Sequence, residues 1–276
     1  MSLNQTVLLG FIQGVTEFLP VSSSAHLVIF QNLFGVNQPQ LFLDVALHIG
    51  TLVATLLVLR SEVERLLKGT LLYLLYQLRG EKDRLTDEHE TMARLAGLVA
   101  VGLIPTGLIG FFFRHQFELL FGSLLAVGVM LMVTGGIVWM TRGVAEGIKD
   151  SKTISVLDVL IVGLVQGLAI TPGISRSGST ITCGLLRKFR KDFSFQFSFL
   201  LSIPAIVGAM ILEWETPLLS SGELLRVLAG TATAAVVGYL CLRFLRSVVQ
   251  QGHLYFFSPY CWAVGSATVV LSFMLR

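Results

Sequence analysis

Residues 163–180 read GLVQGLAITPGISRSGST, and residues 10–27 read GFIQGVTEFLPVSSSAHL. Each begins as an apolar run and then breaks into proline, glycine and serine, residues that interrupt a helix. At an offset of 153, Gly10, Gln13 and Gly14 coincide with Gly163, Gln166 and Gly167. One gap then aligns Pro20 with Pro172 and Ser23 with Ser175. Two such stretches in register point to an internal duplication. Arg176 stands inside the second break among apolar neighbours, where a cation is costly and marks a functional site.

The rest of the 276-residue chain explains why those breaks matter. It is 54% hydrophobic and only 13% charged, with a mean hydropathy of +0.77, against about 25% charged residues in a soluble domain. This composition describes a polytopic membrane protein. The net charge of +3 carries no signal for a nucleic-acid partner, because in membranes the placement of Lys and Arg outweighs their sum. Cys183, Cys241 and Cys261 are scattered among apolar residues and read as small hydrophobes rather than disulfide or metal partners. The start MSLNQTVLLG lacks a basic region ahead of its apolar run, so the first hydrophobic segment is expected to do the targeting.

Six stretches, near 41–60, 93–113, 120–140, 195–214, 225–245 and 256–275, meet the roughly 20 residues needed to cross about 30 Å of hydrocarbon. The segments near 3–34 and 157–189 are shorter and broken, which predicts re-entrant helix–loop–helix hairpins, since non-helical backbone survives at membrane depth only inside protein or beside water. Each half is then a hairpin followed by three spans. Three is odd, so the second half should be inverted. The expectation is an all-α polytopic membrane protein forming one domain, 1–276, with repeat 1 at about 1–141, repeat 2 at about 156–276 and a cytoplasmic loop at about 61–92.

Charge placement supports that topology. With the N-terminus outside, the linkers at 60–94, 142–152, 187–191 and 243–246 carry seven, three, four and two Lys and Arg, sixteen of the twenty. Arg114, Arg226 and Arg276 fall outside, as does the acidic stretch EWETPLLSSGE, in keeping with the positive-inside rule. Inverted repeats whose broken helices meet near the midplane build a membrane site.

The first break offers Gln13, Glu17, Ser22, Ser23, Ser24 and His26; the second offers Gly173, Ser175, Arg176, Ser177 and Thr180. Gln13 and Glu17 share a helical face. One carboxylate, one imidazole, one guanidinium and several hydroxyls suit phosphate chemistry: arginine offers a permanently charged fork, and amides of a Gly/Ser loop opening a helix cradle anions. Glu17 is a candidate metal ligand or base, and His26 a candidate proton shuttle or nucleophile. A Glu17–Arg176 bridge could also be purely structural, and Ser and Thr in such helices often only bond the preceding turn. The occurrence of both polar clusters at matching breaks favours function. Asp44 and His48, four residues apart, are candidates to line the cavity, while His89 and His115 read as solvated. RKFRK at 187–191 reads as a topology anchor against anionic headgroups, RGEKDRLTDEHE at 79–90 as a solvated loop, and YLLYQL before it as part of an interfacial amphipathic helix.

QGVTEFLPVSSSAHL resembles the (Glu/Gln)-x-x-x-Glu and Pro-Val-Ser-Ser-x-x-His motifs of the undecaprenyl-diphosphate phosphatase family, the bacitracin-resistance type. PGISRSGST matches that family's Pro-Gly-x-Ser-Arg-Ser-x-x-Thr signature, and FLDVALHIGTLVA and FSFLLSIPAIVGA extend the resemblance over essentially the whole chain. The resemblance implies hydrolysis of undecaprenyl diphosphate to undecaprenyl phosphate, recycling the lipid carrier of peptidoglycan and other cell-wall glycans, with bacitracin resistance as a consequence. It implies Glu17 in the catalytic acidic motif, His26 in phosphoryl chemistry, Arg176 on the diphosphate, and Ser23, Ser175, Ser177 and Thr180 in contact with it. The motif's first acidic position is Gln13 here, one carboxylate fewer, which would leave Asp44 or water to complete a metal site.

The expected cofactor is a divalent cation, Mg²⁺ or Ca²⁺, held at Glu17, and the expected partners are a polyprenyl diphosphate and the lipid bilayer. The site would face the outer, periplasmic side of the bacterial plasma (inner) membrane. The nucleophile stays open between His26, Ser23 and a metal-bound water. Small residues in VGVMLMVTGG at 127–136 permit a homodimer. The competing reading is a transporter or flippase for a polyprenyl phosphate or another anion, with Arg176 as anchor and His26 as proton-coupling group.

Overall fold

A computed structural model describes residues 2–33, 41–212 and 221–274. Arg276 and most of EWETPLLSSGE lie outside the described residues. Ser2 caps α1 (Leu3–Thr16), its side chain and that of Gln5 closing a reciprocal capping box, and α2 (Ser23–Leu33) follows after a turn around Pro20. The spans are α3 (Leu41–Val58), α5 (Asp87–Phe112), which follows α4 (Arg60–Arg79), and α7 (Leu124–Trp139), which follows the short α6 (Arg114–Phe121). The second half opens with α8 (Val156–Leu168), capped by the same device, Ser155 with Asp158, at the same offset of 153. Then come α9 (Arg176–Leu186), α10 (Lys191–Leu212), α11 (Ser221–Gln251) and α12 (Ser258–Met274). The described residues contain no strand beyond one isolated bridge between Lys149 and Phe189.

The hairpin helices have 14, 11, 13 and 11 residues, about 16–21 Å at 1.5 Å per residue, too short for a 30 Å core. Four helices are long and apolar enough to cross a membrane, and the bent pairs α3/α4 and α6/α7 raise the number to six. The bend into α4 is 77° and that from α6 into α7 is 104°.

One expectation needs correction. Most of the loop expected at 61–92 is helix: Glu62, Glu64, Arg65 and Lys68 interleave with leucines at helical spacing, so α4 carries an apolar face onto α5 and includes YLLYQL. The stretch 79–90 is only partly loop, because Thr86 caps α5 and takes Asp87–Glu90 into its first turn. Within RKFRK, read as a headgroup-facing anchor, Lys188 and Arg190 are exposed, while Arg187 lies beside Asp158 at 2.7 Å and Lys191 beside Glu146 at 3.5 Å. Asp158 is fully buried and also receives Lys149 Nζ at 2.8 Å and Ser155 Oγ at 2.7 Å.

The first helix of each hairpin packs on the middle span of the other half, α1 on α11 and α8 on α5. Glycine permits both crossings. A Cβ on Gly10 would lie 2.3 Å from the Gly230 carbonyl oxygen, and one on Gly163 would lie 2.0 Å from that of Gly102. Gly128 and Gly135, from the small-residue stretch considered for dimerisation, pack inside the chain against Gly265 and Trp262 of α12. The three cysteines are free, and buried Cys261 donates to the Pro20 carbonyl. This packing brings the turn after α1 and the turn before α9 together over a core of Phe18, Phe195, Phe199 and Ile181.

Candidate active site

Glu17 is the C-cap of α1, where the chain leaves the helix and its side chain turns into the protein. Its Oε1 accepts from Arg176 Nη2 at 2.5 Å, and its Oε2 from Ser23 Oγ at 2.7 Å and Gln13 Nε2 at 3.2 Å. One carboxylate therefore joins both breaks. His48 Nε2 lies 3.7 Å from the same Oε2. Arg176 leans over the Phe199 ring at 5.8 Å, a cation–π contact. Its second terminal nitrogen, Nη1, is buried and unpartnered, as is Gln13 Oε1. A buried donor left unpaired costs about 1–3 kcal/mol, and here the unpaired donor and acceptor belong to two side chains bonded to one carboxylate.

The two turns lock onto each other. Ser22 is one of two non-glycine residues with positive φ among those described, at 65°, a left-handed conformation that costs of order 1 kcal/mol or more and clusters at functional sites. Ser22 Oγ lies 3.1 Å from Ser24 Oγ, which accepts from the Gly173 amide at 3.3 Å. Gly173 has φ 96°, and a Cβ there would meet the Val127 carbonyl at 2.5 Å, so glycine is required twice over. Thr134 of α7 braces the turn, donating to the Gly173 carbonyl at 2.8 Å and accepting from the Ser175 amide at 3.0 Å.

Three expected contact residues spend their hydroxyls inside the protein. Ser175 caps α9 through the Gly178 amide, Ser177 Oγ donates to the Phe18 carbonyl at 2.9 Å, and Thr180 Oγ1 bonds the Arg176 carbonyl and Ser198. They position Arg176. His26 Nδ1 lies 2.8 Å from the Ser22 carbonyl, which can only accept, so that nitrogen carries a proton. In the neutral ring Nε2 is then an acceptor, and the Tyr260 hydroxyl stands 2.8 Å away to donate. Asp44 accepts from Gln31 at 3.2 Å, while its carbonyl receives His48 Nδ1 at 2.7 Å.

Sequence reasoning missed Tyr260, Thr134 and Phe199, which lie in three different spans with no local motif. The phenylalanine spacing in FSFQFSFL was the one available signal. Among the described residues no three His, Cys, Asp or Glu converge. Glu17 and the free Gln13 Oε1 fit a cation completed by a ligand's own phosphate oxygens, the usual manner of Mg²⁺, and do not fit an ion caged by protein alone.

A family profile described as bacitracin resistance protein BacA matches residues 6–267. The chain is 43% identical over 277 residues to an undecaprenyl-diphosphatase of Desulforapulum autotrophicum, covering 99% of this chain and 100% of the relative. It is 41% identical to one of Alkaliphilus metalliredigens (99% and 100% covered) and 44% identical to one of Desulfosudis oleivorans (96% and 97% covered).

Proposed function

This chain belongs to the bacitracin resistance protein BacA family, and from that premise we infer that it is an undecaprenyl-diphosphatase. It hydrolyses undecaprenyl diphosphate to undecaprenyl phosphate and inorganic phosphate, which recycles the lipid carrier of cell-wall glycan synthesis and brings bacitracin resistance as a consequence. The observation that carries the site is the Glu17–Arg176 pair between the two turns, with Arg176 Nη1 still unpartnered. That nitrogen is free to donate to the terminal phosphate while Nη2 stays anchored.

In the mechanism we favour, Ser23 is the nucleophile. Its Oγ already donates to Glu17 at 2.7 Å, the geometry of a nucleophile with its general base. Oγ attacks the terminal phosphorus, its proton passes to Glu17, and the bridging P–O bond breaks with undecaprenyl phosphate departing. Water then attacks the phosphoserine. Protonated Glu17 returns its proton to the Ser23 oxygen, and dihydrogen phosphate leaves. Arg176 neutralises the charge of both transition states. His26 has both ring nitrogens engaged; it holds the Ser22 carbonyl and so aims Ser23. A divalent cation, Mg²⁺ or Ca²⁺, at Glu17 and Gln13 Oε1 would add charge neutralisation on the diphosphate. The site opens to the periplasmic side in this reading, supported by the sixteen Lys and Arg on linkers of the other face.

The test is phosphate release from undecaprenyl or farnesyl diphosphate by the purified protein in detergent, where no second compartment exists for a carrier. Glu17→Ala and Arg176→Ala should each lose at least about 100-fold in rate. No release by folded wild type with Mg²⁺ or Ca²⁺ present would overturn the enzyme reading and leave the transporter.

A further inference from the structure

A polar cavity of about 680 Å³ lies where α3 bends into α4 beside the C-terminal part of α11. Its lining includes Arg60, Arg243, Arg246, Tyr239, Ser247 and Gln250. Val58, which lines this cavity, lies ten residues along α3 from His48, about 15 Å at 1.5 Å per residue, so this is not the Glu17 site.

Three guanidinium groups line this cavity, and one of them is paired with a carboxylate. Arg246 is paired with buried Glu62 at 3.2 Å and lies 5.8 Å over the Phe195 ring. Arg243 stacks 5.7 Å over Tyr239, which orients it while leaving its charge uncompensated. Arg60 is exposed; its acidic neighbour along α4, Glu64, feels its charge but is hydrogen-bonded to Lys68, whose own charge offsets it. Two net positive charges with forked donors, beside a serine and a glutamine, match a phosphate group. The remaining wall is apolar, Leu57 and Val58. It runs on to Leu240 and Phe244, exposed at 61% and 56% on α11, a face suited to a hydrocarbon tail. A soluble phosphate compound would have no use for that wall.

We propose that this cavity binds the phosphate headgroup of an anionic lipid whose tail lies along Leu57, Leu240 and Phe244. The bend at Leu59 puts the arginines at the end of the apolar stretch of α3, the depth at which lipid phosphates lie. The aromatic column Phe195–Phe199, with centroids 4.9 Å apart, has Arg246 at one end and Arg176 at the other. An occupied headgroup site would therefore hold the packing beneath the Glu17–Arg176 pair.

The experiment uses the full chain in phosphatidylcholine nanodiscs, with phosphatidic acid as the probe and lipid retention read by native mass spectrometry. Wild type should retain phosphatidic acid over phosphatidylcholine by about 30-fold, on the scale expected of two cations at an anionic headgroup. Arg60→Gln with Arg243→Gln should lose that preference, with prenyl diphosphate hydrolysis in lipid-free detergent unchanged. Lys82→Gln with Arg84→Gln, solvated cations of the neighbouring linker, should keep it. Arg246 is left intact because its loss would strand buried Glu62. Preference surviving in the Arg60/Arg243 variant would overturn the site, and equal loss in the Lys82/Arg84 variant would reduce it to general surface charge. Displacement of the lipid by millimolar inorganic phosphate would overturn the lipid assignment in favour of a free-anion site. The proposal stands apart from the catalytic reading, since it is read by retention and not by turnover.

Discussion

At the scale of single residues, Arg176 does two jobs with two nitrogens, one held by Glu17 and one left free. Lysine cannot divide itself this way, because it presents a single point charge. Arg176→Lys should therefore lose about 100-fold in kcat, measured as phosphate release, with thermal stability in detergent close to wild type. Ser23→Ala separates two chemistries: rapid quenching of wild type should map phosphate on Ser23, and the variant should show none with at least about a 100-fold slower turnover. Phosphate found on His26, or on no side chain, would replace the serine mechanism by one through imidazole or water. Tyr260→Phe removes the donor to His26 Nε2. It should lower kcat/KM by about 5- to 10-fold, the worth of one hydrogen bond of roughly 1–1.4 kcal/mol, because Tyr260 acts only by holding the imidazole.

Between helices, backbone contact rather than side-chain interlocking decides the packing. The crossings of α1 on α11 and α8 on α5 are carried by paired glycines, in the manner of small-residue interfaces in membranes. Gly10→Ala and Gly163→Ala place a methyl group 2.3 Å and 2.0 Å from facing carbonyl oxygens. Each should cost about 1–3 kcal/mol by overpacking and lower the melting temperature in detergent. Gly97→Ala and Gly107→Ala in α5 face open space and should be neutral or gain up to about 1 kcal/mol from helix propensity. Equal effects at all four positions would mean that propensity, not close approach, governs these helices.

Across the whole molecule, the two halves interlock, so the hairpins cannot be set without the opposite spans. Asp158 is the charged anchor of that arrangement, tying α8 to Lys149 and Arg187 from the linkers on either side of the second hairpin. Asp158→Asn leaves both cations without their buried counter-charge and should cost about 3 kcal/mol. The loss should appear as a lower melting temperature with turnover per folded molecule retained. Removing divalent cations with EDTA should stop phosphate release without unfolding the protein, because its own residues hold it together; unfolding on chelation would point instead to a structural ion.

Membrane class, helical content, the two broken hairpins and the polar residues gathered at their turns were legible in the sequence because each rests on local composition or on a short motif. Proline, glycine and serine break a helix wherever they cluster, and an apolar run long enough to cross a bilayer declares itself by length. The amphipathic helix α4 was legible only in part, since its interleaved charges read as linker until the apolar face found α5. That Arg176 and Ser23 share the Glu17 carboxylate, that Ser175, Ser177 and Thr180 hydrogen-bond within the protein around the turn, and that Tyr260, Thr134 and Phe199 lie beside these residues were decided by tertiary structure alone. Those contacts join residues up to 234 positions apart. No spacing along a chain encodes such a distance; it is settled by which helices pack, and here by the glycines that let them touch.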